Sequence, residues 1–127
     1  MIGIVVVAHG GLAKEYLHAV EHVVGRQAGI VAISIEPDHD RQQKQDEFCD
    51  AANAVDTGYG VVVVTDMFGS SPSNLSLRAC QPENRKIIYG ANLPMLVKLA
   101  KSRHLLVQEA VSTALAAGRK YIDSCDG

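Results

Sequence analysis

The stretch Gly60-Val61-Val62-Val63-Val64-Thr65-Asp66-Met67-Phe68-Gly69-Ser70-Ser71-Pro72 decides the architecture. Four consecutive valines cannot alternate between a wet and a dry side. The run therefore reads as a strand buried on both faces, as in a parallel sheet covered by helices on each side. It ends in a polar turn, and Ser71-Pro72 reads as a helix start, with serine as N-cap and proline at the first helical position. Strand, turn and helix in that order form half of a βαβ unit.

The same pattern repeats outward from this stretch. Apolar runs rich in β-branched residues recur at Ile2 to Ala8, at Ile30 to Ile35 and, more weakly, at Lys86 to Tyr89. Between the first two, Leu12, Tyr16, Val20, Val23 and Val24 form an apolar helical stripe. Lys14, Glu15, His18, Glu21 and His22 form the opposite face, and Gly25 ends the helix. A second helix, from about Asp40 to Val55, buries Phe48, Cys49, Ala52 and Val55. Asn92-Leu93-Pro94 opens another, and Leu105 to Ala117 reads as a longer one ended by Gly118. Arg119 to Asp123, with the apolar pair Tyr121-Ile122, reads as a short edge strand. The order βαβαβαβαα predicts a single α/β domain. Its sheet is doubly wound and mainly parallel, with helices on both faces and right-handed crossovers.

Composition bounds what such a domain can do. A chain of 127 residues, 47% hydrophobic and 20% charged, is long enough for one core without staples. With 12 Lys+Arg against 14 Asp+Glu, no basic footprint is available for nucleic acid or an anionic membrane. Cys49, Cys80 and Cys125 are widely spaced and contain no CxxC pair, so neither a disulfide framework nor a zinc site is expected. The opening MIGIVVVAHGG has no basic flank, and its apolar run is far shorter than the roughly 20 residues that span a bilayer. A cytoplasmic location without membrane insertion is expected.

In open parallel sheets, ligands bind beyond the carboxyl ends of the strands. The first strand runs out in Ala8-His9-Gly10-Gly11 and the third in Thr65-Asp66. If those strands are neighbours, His9 and Asp66 can meet. A carboxylate accepting from one imidazole nitrogen holds the tautomer in which the other nitrogen carries a free lone pair. Gly10 and Gly11 keep that nitrogen approachable. The turn from Phe68 to Pro72 offers unpaired backbone N–H groups at a helix start, with the Ser70 and Ser71 hydroxyls beside them. A nucleophilic His9, an orienting Asp66 and an anion cradle describe a site that carries a phosphoryl group, with no cofactor and no metal required.

Two other chemistries compete. His18-Ala19-Val20-Glu21-His22 fits the H-x-x-E-H string of inverted zinc peptidases, but it falls on the polar face of an ordinary surface helix. Tetrapyrrole metal chelatases also begin with a strand ending in His-Gly. A chelatase site, however, would need further ligands over a large apolar cleft, and the serines suit an oxyanion better.

Three linked segments now carry a resemblance. They are His9-Gly10 after the first strand, Asp66-Met67-Phe68-Gly69-Ser70-Ser71-Pro72-Ser73-Asn74 after the third, and Gly90-Ala91-Asn92-Leu93-Pro94-Met95-Leu96 after the fourth. In order and spacing they resemble the enzyme IIA component of the mannose-type phosphoenolpyruvate-dependent sugar phosphotransferase system, the mannose/fructose/sorbose family. The resemblance covers nearly the whole chain and implies that residues 1–127 are one type-4 IIA domain. It implies that His9 accepts a phosphoryl group on Nε2 from phospho-HPr and passes it to a IIB component, while Asp66 holds Nδ1. By the same resemblance Gly10, Gly69, Ser70 and Ser71 bind the phosphoryl group, and Asn92 and Pro94 shape a loop over the site. A homodimer that exchanges the C-terminal strand, here Arg119 to Asp123, is implied too. No IIB domain lies within these residues, so donor and acceptor are expected on separate chains. Ser70 departs from the family pattern, which usually has a second glycine there. The phosphotransfer subunit of dihydroxyacetone kinase and a sensor of phosphorylation state are the neighbouring readings, since both use the same kind of histidine.

Overall fold

The computed structural model describes residues 1–38, 40–67 and 84–127. Strands β1 (Gly3–His9), β2 (Ile30–Ile35), β3 (Val61–Thr65) and β4 (Arg85–Ile88) form a wholly parallel sheet in the order β2-β1-β3-β4. The described helices are α1 (Leu12–Val24), α2 (Arg41–Val55), α3 (Leu93–Lys101) and α4 (Val107–Lys120). The expected helix start at Ser71-Pro72 lies outside the described residues.

The unbroken apolar runs are explained by burial on both faces. Along β1, Ile4, Val6 and Ala8 join one core with Val62 and Val64 of β3, beneath α1, α3 and α4. Val5 and Val7 point the other way, into a second core with Val61, Val63, Ile33, Ile35 and α2, whose Phe48, Ala52 and Val55 are buried. The period of two along a strand divides these side chains between the layers. Both layers are apolar, so no alternation shows in the sequence.

Helix ends follow local chemistry. Asp40 caps α2 by accepting from the Gln43 amide at 2.8 Å. Asn92 caps α3 by accepting from the Met95 amide at 3.0 Å, with Pro94 in the first turn where its missing N–H costs nothing. Gly118 departs from expectation, because it lies inside α4 and does not end it. A Cβ there would stand 3.1 Å from Met95 Cβ, and the Gly118 carbonyl accepts from Asn92 Nδ2 at 3.0 Å. This glycine serves the close approach of α4 to α3.

The buried stripe of α1 is also turned from the one expected. Ala13, Tyr16, Val20 and Val24 face the core, while Leu12 and Val23 are exposed. The C-terminal edge strand is not part of the sheet in this chain. Arg119 and Lys120 instead complete α4, and residues 122–127 are exposed without sheet pairing. An exchanged strand would have to form against a second copy.

At the amino ends of the strands, the pole opposite His9, a buried arginine ties the layers together. Arg103 is 4% exposed. Its Nε donates to the Ile2 carbonyl at 2.7 Å, Nη1 to Gln27 Oε1 at 3.2 Å and Nη2 to the Gly29 carbonyl at 3.2 Å. Burial holds its pKa below the ordinary arginine value. Gly29, at φ +74°, leaves room for the guanidinium, since a Cβ there would stand 2.7 Å from Nη2. Arg103→Met keeps the bulk but strips one buried and two part-buried acceptors of their donors. It is expected to cost about 2–3 kcal/mol, read as a lower urea midpoint at unchanged m-value. An unchanged midpoint would show that water replaces the guanidinium at no cost.

Candidate functional site

The sheet order makes β1 and β3 neighbours, with Val7 opposite Thr65. Their next residues therefore leave the carboxyl edge side by side. Asp66 Oδ2 accepts from the His9 backbone amide at 3.0 Å and stands 2.9 Å from His9 Nδ1. The Asp66 side chain is one-tenth exposed, whereas that of His9 is half exposed.

Burial acts to raise the Asp66 pKa, but the hydrogen bonds from the His9 amide and ring, with the charge His9 can carry, outweigh it. The carboxyl is held below its ordinary range. An ionised carboxylate only accepts, so Nδ1 is the protonated nitrogen and Nε2 carries the lone pair. The expected meeting of His9 and Asp66 is therefore present, and it orients the ring through one carboxylate oxygen that also grips the backbone.

Gly10 follows at φ +57°, the left-handed region that favours glycine. Its amide donates to the Ile35 carbonyl at 3.0 Å, and its carbonyl accepts from the Ser34 hydroxyl. Ser34 escaped the sequence reading. It sits opposite Ala8 in the β1–β2 register and is the polar residue in an otherwise apolar strand, which was the available signal. Gly11 then opens α1 without a side-chain cap.

The segment after β4 closes the other side. The Ala91 amide donates to the Thr65 carbonyl at 3.0 Å, which pins this segment to the residue just before Asp66. Asn92 and Pro94 shape it from behind, at the start of α3. Tyr16 of α1 reaches the same place, its hydroxyl donating to the Ala91 carbonyl at 3.1 Å. Burial and then the charge of Asp66 raise the Tyr16 pKa, so the phenol stands within electrostatic reach of the carboxylate. Sequence reasoning treated Tyr16 as a packing residue and missed its polar tip, which needs a partner when buried. Gly69, Ser70 and Ser71, the expected anion cradle, lie outside the described residues, as does Phe68.

The peptidase string has other employment. Glu21 Oε2 accepts from the Gln27 amide at 2.9 Å and so ties the residues after α1 back to the helix, while His18 Nδ1 lies 3.8 Å from Glu15 Oε1. Among the described residues, no group of three or more His, Cys, Asp or Glu side chains is arranged to hold a metal ion. No helix among them is long and apolar enough to cross a membrane.

A strand-tip histidine, held through Nδ1 by a largely buried aspartate at the carboxyl edge of a parallel sheet, sets the class: a parallel α/β domain with an oriented imidazole beyond its strands. Comparison with known proteins narrows that class. The family model described as "PTS system fructose IIA component" matches residues 3–117. The mannose-specific EIIAB component of Escherichia coli K12 is 30% identical over 124 residues, 95% of this chain but 38% of its own length. The chain thus spans well under half of that relative. A IIA protein associated with the fucose utilisation operon of Streptococcus pneumoniae superposes with a TM-score of 0.82 at 27% identity, covering 95% of this chain and 91% of that one. The phosphotransferase component EIIA of Streptococcus agalactiae shares the fold, with a TM-score of 0.87 at 24% identity and 98% and 97% coverage. The chain belongs to the mannose-type enzyme IIA family of the sugar phosphotransferase system.

Proposed function

We propose that this chain is a phosphohistidine carrier in which His9 Nε2 takes a phosphoryl group from phospho-HPr and delivers it to a IIB partner. The observation that carries this reading is the 2.9 Å contact between Nδ1 and the buried Asp66, which leaves Nε2 as the lone-pair nitrogen on a half-exposed ring. As Nε2 attacks phosphorus, the new N–P bond forms while the donor's N–P bond breaks. No proton need move. The ring becomes an imidazolium whose Nδ1–H still donates to the Asp66 carboxylate, which stabilises the developing positive charge. In the onward step the N–P electron pair returns to Nε2, and a ring kept cationic is the better leaving group. Gly10 lets another protein approach, and the Gly69 to Ser71 segment supplies donors to the phosphoryl oxygens.

Homodimerisation through the 119–123 segment belongs to the same proposal. It is supported by the exposure of Tyr121 and Ile122, at 66% and 73%, just beyond the end of α4. The test is reconstitution with phosphoenolpyruvate, enzyme I and HPr. The expected product carries one acid-labile, alkali-stable phosphoryl group that maps to His9, and adding a IIB protein should discharge it. Absence of label would overturn the carrier reading. Label that no IIB protein removes would favour a sensor of phosphotransferase flux, which uses the same histidine.

A further inference from the structure

We propose that Tyr16 is a positioning residue for His9: its hydroxyl closes a ring of hydrogen bonds that sets where Asp66 stands relative to the imidazole. His9 Nδ1 meets Asp66 Oδ2 at 2.9 Å, and the carbonyl of Thr65, the preceding residue, accepts from the Ala91 amide at 3.0 Å. The Ala91 carbonyl accepts from the Tyr16 hydroxyl at 3.1 Å. Tyr16 lies on α1, whose first turn is tied to Gly11 by the Glu15 amide at 3.1 Å, and Gly10-Gly11 leads directly back to His9.

Asp66 needs such a frame. Its Oδ1 is buried and has no hydrogen-bond partner among the described residues, so within them the carboxylate is held through Oδ2 alone. Its place depends on the backbone that carries it, and that backbone is braced through Ala91. An aliphatic side chain could fill the same slot beside Ala13, Val20 and Val24. A tyrosine brings a hydroxyl that must find an acceptor when buried, and here it finds the segment that braces Asp66. Its raised pKa keeps it a donor.

The consequence for transfer rests on the carrier reading of His9, but the effect on the ring does not, and the experiment separates the two. Tyr16→Phe keeps the packing and deletes the hydroxyl, while Tyr16→Leu removes both. Ring 15N chemical shifts of labelled histidine report the His9 tautomer in each protein without any phosphoryl donor. In wild type the Nδ1–H form is expected to dominate. In Tyr16→Phe the Nε2–H share should rise measurably, and phosphoryl acceptance should slow by roughly 3- to 10-fold, the size a single neutral hydrogen bond carries, with the KM for HPr unchanged. A Phe variant with the wild-type tautomer balance overturns the proposal, even if the Leu variant is impaired, because Tyr16 would then be packing alone. A tautomer shift in a protein that phospho-HPr does not label would leave the positioning role standing and remove the carrier reading.

Discussion

His9→Ala is expected to abolish phosphoryl acceptance from phospho-HPr while leaving the fold intact. Total loss follows from the chemistry of the site. The described site offers one imidazole oriented by a carboxylate, and the other described histidines lie outside it. His18 and His22 are exposed on α1 and His104 is exposed just after α3, away from the carboxyl edge that carries Asp66. A residual rate would need a second nucleophile at the strand edge, so the decrease should reach the detection limit, at least about 10³-fold. The intact fold follows from geometry. His9 is the strand residue of β1 that lies outside the core, and its backbone amide, which alanine retains, still donates to Asp66 Oδ2. The thermal midpoint should move by no more than about 4 °C, as for an exposed site that loses one partner. Radiolabel from phosphoenolpyruvate, followed with a melting curve on the same sample, checks both halves. Persistent label in a folded variant would place the acceptor elsewhere.

Much of this site is legible in the sequence because its two central residues are the first polar groups after unbroken apolar runs. Ile2 to Ala8 and Val61 to Val64 can be read as doubly buried strands without knowing what covers them. Any doubly wound arrangement that makes them neighbours puts His9 beside Asp66. The parts that stay hidden depend on contacts between helices, where periodicity gives a stripe but not its edge. In α1, Leu12 and Ala13 are both compatible with an apolar face. Packing against β2 and α3 selects Ala13 and leaves Leu12 exposed. The same packing carries Tyr16 to Ala91, a partner 75 positions away that no local pattern announces. Gly118 misleads for a related reason. A glycine near a helix end resembles a stop signal, yet this one makes room for Met95 on another helix.

Changes at Asp66 should separate orientation from charge. Asp66→Ala removes the acceptor for both the His9 amide and Nδ1, which frees the ring to rotate and to exchange tautomers. Transfer is expected to slow by roughly 10²- to 10³-fold, the range over which positioned acid–base partners act. Asp66→Asn is predicted to fall less, about 10- to 100-fold. The His9 backbone amide, a fixed donor 3.0 Å from the Oδ2 position, selects the amide oxygen there over the amide nitrogen. The ring then keeps its Nδ1 acceptor and loses only the negative charge that steadies the imidazolium. The two variants should also differ from wild type in acid. The folded-state pKa of Asp66 is lowered, so its contribution to stability is fully present above the unfolded carboxyl value of about 4 and is lost as pH falls through the folded value. Neither variant titrates at this position. Below pH about 4 the stability gap between wild type and Asp66→Asn should therefore narrow, a trend that urea midpoints measured across pH would show. Equal transfer rates for the Ala and Asn variants would mean that charge, with no share from orientation, sets the rate. A wild-type rate in Asp66→Asn would reduce the carboxylate to a hydrogen-bond acceptor that any neutral oxygen can replace.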